Sequence, residues 1–147
     1  MARKRMIHPD FFTSSTMNSV PVSAMLTFAG IWCWADDYGR GEDDPALIKA
    51  AVWPRRRAMG EKKVAEDVEN LVGAGVLCRY DVADHQLLHV INWREHQKVQ
   101  HPTASKLPPC PHHEPEMWRD FAGSDDPATE KFRTDSRISR EGLRSAS

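Results

Sequence analysis

The sequence contains little cysteine and no long apolar run, and each absence excludes classes of protein. Its 3 cysteines are an odd, scattered set among 147 residues, which favours a reduced intracellular protein over a disulfide-stabilised secreted one. No apolar stretch approaches the ~18 residues that a membrane span requires. Arg3-Lys4-Arg5 is not followed by the apolar core of a signal peptide. We therefore expect a cytoplasmic protein that does not contact a membrane.

Motifs for catalysis and for metal binding are also missing. The sequence has no glycine-rich phosphate loop and no GxSxG motif, so no catalytic residue is assigned and no enzyme is expected. Potential metal ligands occur in the run 110–114, but neither a CxxC motif nor an obvious second ligand pair accompanies them. A tail site is the alternative, using His101, Cys110, His112 and His113. The favoured interpretation has no metal and no cofactor, with Cys78 as a buried apolar residue of a strand.

Residues 62–91 carry the pattern that indicates the fold. An apolar stripe at helical spacing predicts a helix, and its members are Val64, Val68, Leu71 and Val72. Gly75 then suits the left-handed conformation that often ends a helix. Two extended runs, 76–82 and 86–91, follow and are separated by the short turn Ala83-Asp84-His85. Helix, glycine, strand, turn and strand is the order of the second half of a winged helix-turn-helix.

The preceding residues fit the same architecture. A largely buried helix is predicted over 23–35, followed by a short strand within 36–41. Asp43 or Asp44 is a suitable N-cap for a helix over 45–52, because Pro45 is favourable at the first helical position. A long basic turn, residues 53–60, leads to the third helix. The predicted fold is therefore α+β, a winged helix-turn-helix of three helices and a small antiparallel wing.

The chain divides by composition near residue 107. Residues 1–107 hold nearly all of the apolar periodicity and are predicted to form the winged-helix domain. Residues 108–147 are rich in proline and poor in large apolar side chains, so most of this tail is predicted to be disordered. A short amphipathic helix over 115–121 is the one ordered element expected there. Trp93, after the second strand, is predicted to pack on the core.

Several segments in order resemble a known family. They are Met1–Ile7, Ala35–Gly41, Asp44-Pro45, Leu71–Leu77, Ile91–Val99 and Ser105–Pro109. Over about residues 1–109 the chain resembles the N-terminal winged-helix domain of phage-encoded replication-initiator or replisome-organiser proteins. The resemblance implies a winged helix that binds double-stranded DNA in the cytoplasm of a bacterial host. It also implies a role in phage replication initiation or in transcriptional control, and it supplies no catalytic residue.

Basic residues predict where DNA would bind. A flexible N-terminal arm, the basic turn, the start of the third helix and the wing contribute the candidates, which are Arg3, Lys4, Arg5, Arg55, Arg56, Arg57, Lys62, Lys63, Arg79 and His85. Acidic residues of the third helix favour an alternative, a module that binds a host or phage protein instead of DNA. These acids are Glu61, Glu66, Asp67 and Glu69. The tail is a further candidate contact for a replication protein, and the sequence is compatible with a homodimer.

Overall fold

The computed structural model describes residues 2–124 and 130–133 and has an α+β fold. Its helices are α1 (Asp10–Thr13), α2 (Val22–Trp34), α3 (Pro45–Val52), α4 (Glu61–Gly73), α5 (Trp93–His96), α6 (Pro115–Gly123) and α7 (Glu130–Arg133), with a 3-10 turn at Met17–Ser19. Its strands are β1 (Arg40–Glu42), β2 (Leu77–Val82) and β3 (His85–Val90). Within the described ranges, no helix has the length and apolar character needed to cross a membrane.

Local sequence signals set the helix ends. The Asp44 carboxylate accepts a hydrogen bond of 2.9 Å from the Ala46 amide, which caps α3, and Pro45 occupies its first position. Beyond α4, Gly75 has a φ of 78°, the left-handed conformation expected after a helix. The predicted helices over 23–35, 45–52 and 62–72 are confirmed to within a residue or two at each end.

The three strands form one antiparallel sheet in the order β1-β3-β2. The short strand predicted within 36–41 is confirmed as β1, which pairs with β3. A tight turn joins β2 to β3, and its residues Ala83 and Asp84 have φ values of 50° and 63°. Positive φ at both positions matches the twist of a two-residue hairpin turn.

The inner face of the sheet packs against α2, α3 and α4. This face presents Leu77, Leu88 and Val90 to the helices. The helices contribute buried apolar residues to the same core, including Ile31, Ile48, Val64, Val68 and Leu71. Burial of this apolar stripe stabilises α4, as its spacing predicted.

The outer face of the sheet is also covered. Successive residues of a strand point to opposite faces, so Tyr80, Val82 and Leu87 lie opposite the helical core. They pack with Cys110, Phe121 and Phe132 in a second buried cluster, and the Tyr80 hydroxyl donates a hydrogen bond of 2.7 Å to the Pro108 carbonyl. The expected short helix is present as α6.

This packing corrects the boundary predicted at residue 107. Residues 108–124 and Phe132 belong to the domain, because side chains from them bury the apolar outer face of the hairpin. The rest of the tail that was predicted to be disordered, residues 125–129 and 134–147, lies outside the described part of the chain.

Candidate nucleic-acid interface

The basic turn, residues 53–60, is fixed at both ends and exposed between them. The Trp53 indole donates a hydrogen bond of 2.8 Å to the Thr27 hydroxyl, and Met59 is buried against the helical core. Arg55, Arg56 and Arg57 lie between these anchors and are all exposed. The contacts of Trp53 and Met59 therefore hold the two ends of the turn in place, and the three guanidinium groups between them lie in solvent.

The N-terminus of α4 follows the basic turn directly. Gly60 is its N-cap and no side chain caps the first turn, so the amide groups there have no side-chain acceptor. Lys62 is exposed, and the Lys63 amine lies 3.9 Å from the Glu66 carboxylate. Over residues 2–124 and 130–133, none of Arg55, Arg56, Arg57 and Lys62 forms an ion pair. The helix dipole and the unpaired basic side chains favour an anion at this end, and the exposed carboxylate of Glu61 in the first turn opposes it.

One acid of α4 does not face solvent, contrary to the prediction. Asp67 is fully buried against α2, and its carboxylate accepts hydrogen bonds of 2.8 Å from the hydroxyls of Ser23 and Thr27. Thr27 also accepts the Trp53 indole hydrogen bond, so this polar network ties α2 and α4 to the basic turn. Removing Asp67 from the solvent-facing set makes the exposed surface of α4 less acidic than its sequence suggests.

The predicted wing contacts are engaged within the protein. Arg79 forms an ion pair with Glu69 of α4, and its Nε lies 2.9 Å from an oxygen of Asp43. Two carboxylates around one guanidinium leave little positive charge for phosphate, which argues against the assigned role of Arg79 in DNA contact. His85 is exposed at the hairpin turn, where its ring packs edge-on against Phe132 at 4.8 Å between centroids.

The predicted basic arm at the N-terminus is not free, and this corrects its assignment. Arg5 is almost fully buried; it pairs with Asp37 at 3.1 Å, donates to the Trp32 carbonyl at 2.9 Å and stacks over Trp93. Arg3 forms an ion pair with the same carboxylate of Asp37. Lys4 is exposed and forms no ion pair among the described residues, whereas the Arg3 side chain is 44% exposed but paired with Asp37.

Asp37 is the centre of that arrangement. Burial by itself raises the pKa of the Asp37 carboxyl, but the hydrogen bond from the Thr103 amide and the charges of Arg5 and Arg3 outweigh burial, so the net pKa lies below its ordinary value. The Asp37 carbonyl accepts a hydrogen bond of 2.8 Å from the indole of Trp93. The prediction that Trp93 packs on the core is therefore confirmed.

A second group of reactive side chains lies under the outer face of the sheet. We call Cys78, Cys110 and His113 the thiol–imidazole cluster, because one ligand atom from each lies within 4.8 Å of the others. Burial raises the pKa of the Cys78 thiol to about 12, and burial also raises the pKa of Cys110. His89 lies opposite Cys78 on the neighbouring strand, and burial lowers its pKa to about 4.

The thiol–imidazole cluster was not predicted from the sequence, because Cys78 is far from Cys110 and His113 along the chain. The favoured prediction was that no metal site exists, and the alternative tail site grouped Cys110 and His113 with His101 and His112, whereas the structure brings Cys110 next to Cys78. His101 and His112 are both exposed and lie outside the cluster. The signal that could have found it is the strand alternation, which puts Cys78 on the same face as Tyr80 and Val82.

Comparisons with family models, with curated proteins and with solved structures each found no match. Assignment of a function to this chain therefore depends on the geometry of the basic turn, of α4 and of the thiol–imidazole cluster.

Proposed function

We propose that this protein is a winged-helix protein that binds duplex DNA through the basic turn and the N-terminus of α4. The element order α2, β1, α3, α4, β2, β3 and the strand order β1-β3-β2 support this proposal, in which α4 is the recognition helix. The observation that carries the proposal is the run of exposed arginines leading into an uncapped helix N-terminus.

The chemistry of this surface suits phosphate and guanine. Arginine guanidinium groups donate paired hydrogen bonds to both, and the amide groups of a helix N-terminus attract anions. One side of α4 is buried against α2 and α3. Its exposed side and its amino end are the parts that remain available to a groove of DNA. In this arrangement the hairpin contributes its tip near His85, and Arg79 stays paired with Glu69 and Asp43.

The biological role that we propose follows the family resemblance. A phage protein of this kind would act in replication initiation or in transcriptional control, in the cytoplasm of its bacterial host. A contact with a replication protein through the tail would use residues beyond 133, since 108–124 pack on the sheet.

Changing Arg55 and Arg56 together to alanine is the direct test of the interface. We expect affinity for duplex DNA to fall about tenfold or more, and the salt dependence of log K to become shallower by about two, because two phosphate contacts are lost. Fluorescence anisotropy at several salt concentrations measures both quantities, and circular dichroism checks that the variant folds.

A charge-matched control separates a specific contact from a general loss of positive charge. Lys98→Ala with Lys106→Ala removes the same charge from exposed positions outside the basic turn, and we expect it to change affinity little. Equal losses in the two double variants would contradict the proposed interface. Undetectable binding of the folded wild-type protein to any duplex at low salt would contradict DNA binding itself.

An exposed apolar surface favours a second candidate function, a protein-interaction module. Val22 and Leu26 are one helical turn apart on α2 and are 73% and 53% exposed, and Leu47 of the adjacent α3 is 42% exposed. Apolar side chains that remain exposed together can mark a protein contact. In this alternative the acids of α4 recognise the partner.

Changing Glu66 and Glu69 together to glutamine distinguishes the two functions. We expect DNA affinity to stay the same or to rise, because Lys63 loses its carboxylate partner and phosphate meets less repulsion. The anisotropy assay used for the arginine variant measures this change. A fall in DNA affinity would show that α4 is oriented differently from the proposal. If the protein binds a partner protein instead, the arginine variant should bind that partner as the wild type does, and the glutamine variant should no longer bind it.

A further inference from the structure

We propose that the thiol–imidazole cluster is a zinc site, with Cys78, Cys110 and His113 as ligands and His89 as the fourth. Two thiolates and imidazole nitrogens are a ligand set that selects zinc over magnesium or calcium. This proposal is independent of DNA binding, since none of these residues belongs to the basic turn or to α4.

Two distances at Cys110 are close to those of a tetrahedral site. With Zn–S bonds of about 2.3 Å and a Zn–N bond of about 2.0 Å, two sulfurs lie about 3.8 Å apart and a sulfur and a nitrogen about 3.5 Å apart. The Sγ atoms of Cys78 and Cys110 are 3.8 Å apart, and Cys110 Sγ lies 3.6 Å from His113 Nδ1. Two of the three distances therefore match one metal ion, and the third pair, Cys78 and His113, has ligand atoms within 4.8 Å of each other.

The ligands are held from both sides of the sheet–tail junction. Cys78 is fixed by strand β2. Cys110 and His113 belong to a turn closed by two hydrogen bonds, from the Glu114 amide to the Cys110 carbonyl at 2.9 Å and from the Cys110 amide to the Glu114 carboxylate at 3.0 Å. A guanidinium nitrogen of Arg40 forms an ion pair with an oxygen of the Glu114 carboxylate at 2.8 Å. The turn therefore keeps its position relative to Cys78 before any ion binds.

His89 provides the independent observation that points to a ligand. It is 4% exposed, it faces Cys78 across the β2–β3 ladder, and its Nδ1 has no hydrogen-bond partner in the described part of the chain. A buried ring nitrogen without a partner is unfavourable unless something binds it. His89 Nε2 lies 3.6 Å from Glu114, so Nδ1 facing a metal and Nε2–H facing a carboxylate would form the usual carboxylate–histidine–zinc arrangement.

His89 lies outside the group of ligand atoms within 4.8 Å of one another, so its side chain would have to rotate for Nδ1 to become the fourth ligand. A cleft lined by His89, His113 and Glu114 opens beside the cluster between α5 and α6, which gives an ion access. Zinc binding would release the two thiol protons to solvent. The bound ion would also link the turn before α6 to strand β2 of the hairpin.

Metal content and spectroscopy of the full chain test the site. Protein purified under reducing conditions and freed of metal by chelation is expected to bind one zinc ion per chain. Cobalt added in place of zinc should give the intense visible bands and the thiolate charge-transfer band of a tetrahedral site. Both measurements use the wild-type protein, so they do not depend on whether any variant folds.

Variants then assign the ligands. Cys78→Ser and Cys110→Ser each remove one of the two thiolates, so each variant should lose that thiolate's share of the cobalt charge-transfer band. His89→Gln should weaken zinc binding on the order of tenfold or more. The matched controls are Cys33→Ser, a half-buried cysteine of α2, and His112→Asn, the exposed neighbour of His113. Both controls should bind zinc as the wild type does.

Three results would overturn the proposal. The first is reduced, folded wild-type protein that binds no zinc at micromolar concentration. The second is zinc binding that survives both cysteine changes, since exposed histidines then hold the ion. The third is isolation of the chain with Cys78 and Cys110 joined as a disulfide that does not yield to reductant, since the thiols then serve a covalent link.

Discussion

Replacing Asp37 by asparagine is expected to destabilise the protein by about 3–5 kcal/mol, the usual effect of breaking a buried ion pair from one side. The Arg5 side chain is only 5% exposed, so without the Asp37 carboxylate its charge stays in the interior with carbonyl acceptors alone. Arg3 and the Thr103 amide lose an acceptor at the same time. Urea denaturation followed by circular dichroism measures the change.

The dependence of this effect on pH has a definite sign. Because the pKa of Asp37 in the folded protein lies below its ordinary value of 3.8, its contribution to the free energy of unfolding is fully present above that value. It is lost as the pH falls through the pKa of the folded state. The stability difference between the wild type and the asparagine variant should therefore be constant near neutral pH and shrink in acid.

Asp10→Asn is the control, because Asp10 is exposed at the start of α1 and forms no ion pair among the described residues. It should change stability by a few tenths of a kcal/mol, as most surface substitutions do. An asparagine variant of Asp37 as stable as this control would show that Arg5 does not depend on the carboxylate.

Ending the chain at Leu107 is expected to lower the melting temperature by roughly 10 °C or more. The deletion removes the Glu114 carboxylate from Arg40, together with the tail residues that keep the Arg40 side chain only 3% exposed. It also exposes Tyr80, Val82 and Leu87, which now pack on Cys110 and Phe121. Thermal unfolding of the two chain lengths measures the loss.

A chain ending at Arg133 keeps these contacts and serves as the matched control. It should melt within a few degrees of the full chain. Equal melting temperatures for the full chain and for residues 1–107 would mean that the tail does not stabilise the hairpin. The sequence-based boundary would then be correct and the second buried cluster unimportant for stability.

Local sequence signals predicted the parts of this fold that local interactions determine. Pro45 after Asp44, the apolar stripe of α4 and Gly75 after it each act within a few residues, so helix and strand positions could be predicted from them. The cover over the outer face depends on pairs far apart in sequence. Apolar residues on both faces of β2 were the available indication that a second layer exists.

The same limit explains the errors at the candidate sites. A sequence does not reveal which acid pairs with a given basic residue. Arg5 and Arg79 were therefore predicted to contact DNA, although carboxylates elsewhere in the chain neutralise them. Asp67 was predicted to be exposed because the sequence does not show that the Ser23 and Thr27 hydroxyls of α2 donate hydrogen bonds to it. Arg55 and Arg56 were predicted to be exposed, and both lie in solvent with no ion-pair partner among the described residues.

Met6 and Gln97 exchange two hydrogen bonds across 91 residues of sequence, between the Met6 amide and carbonyl and the Gln97 amide side chain. A growing chain emerges from the ribosome at ~5–20 residues per second, so the N-terminal segment waits several seconds for this partner to be made. During synthesis Arg5 can bind Trp32 and Asp37 before α2 meets α4, because its contacts span fewer residues of sequence than those of Asp67 with Ser23 and Thr27. The pair of hydrogen bonds between Met6 and Gln97 forms later.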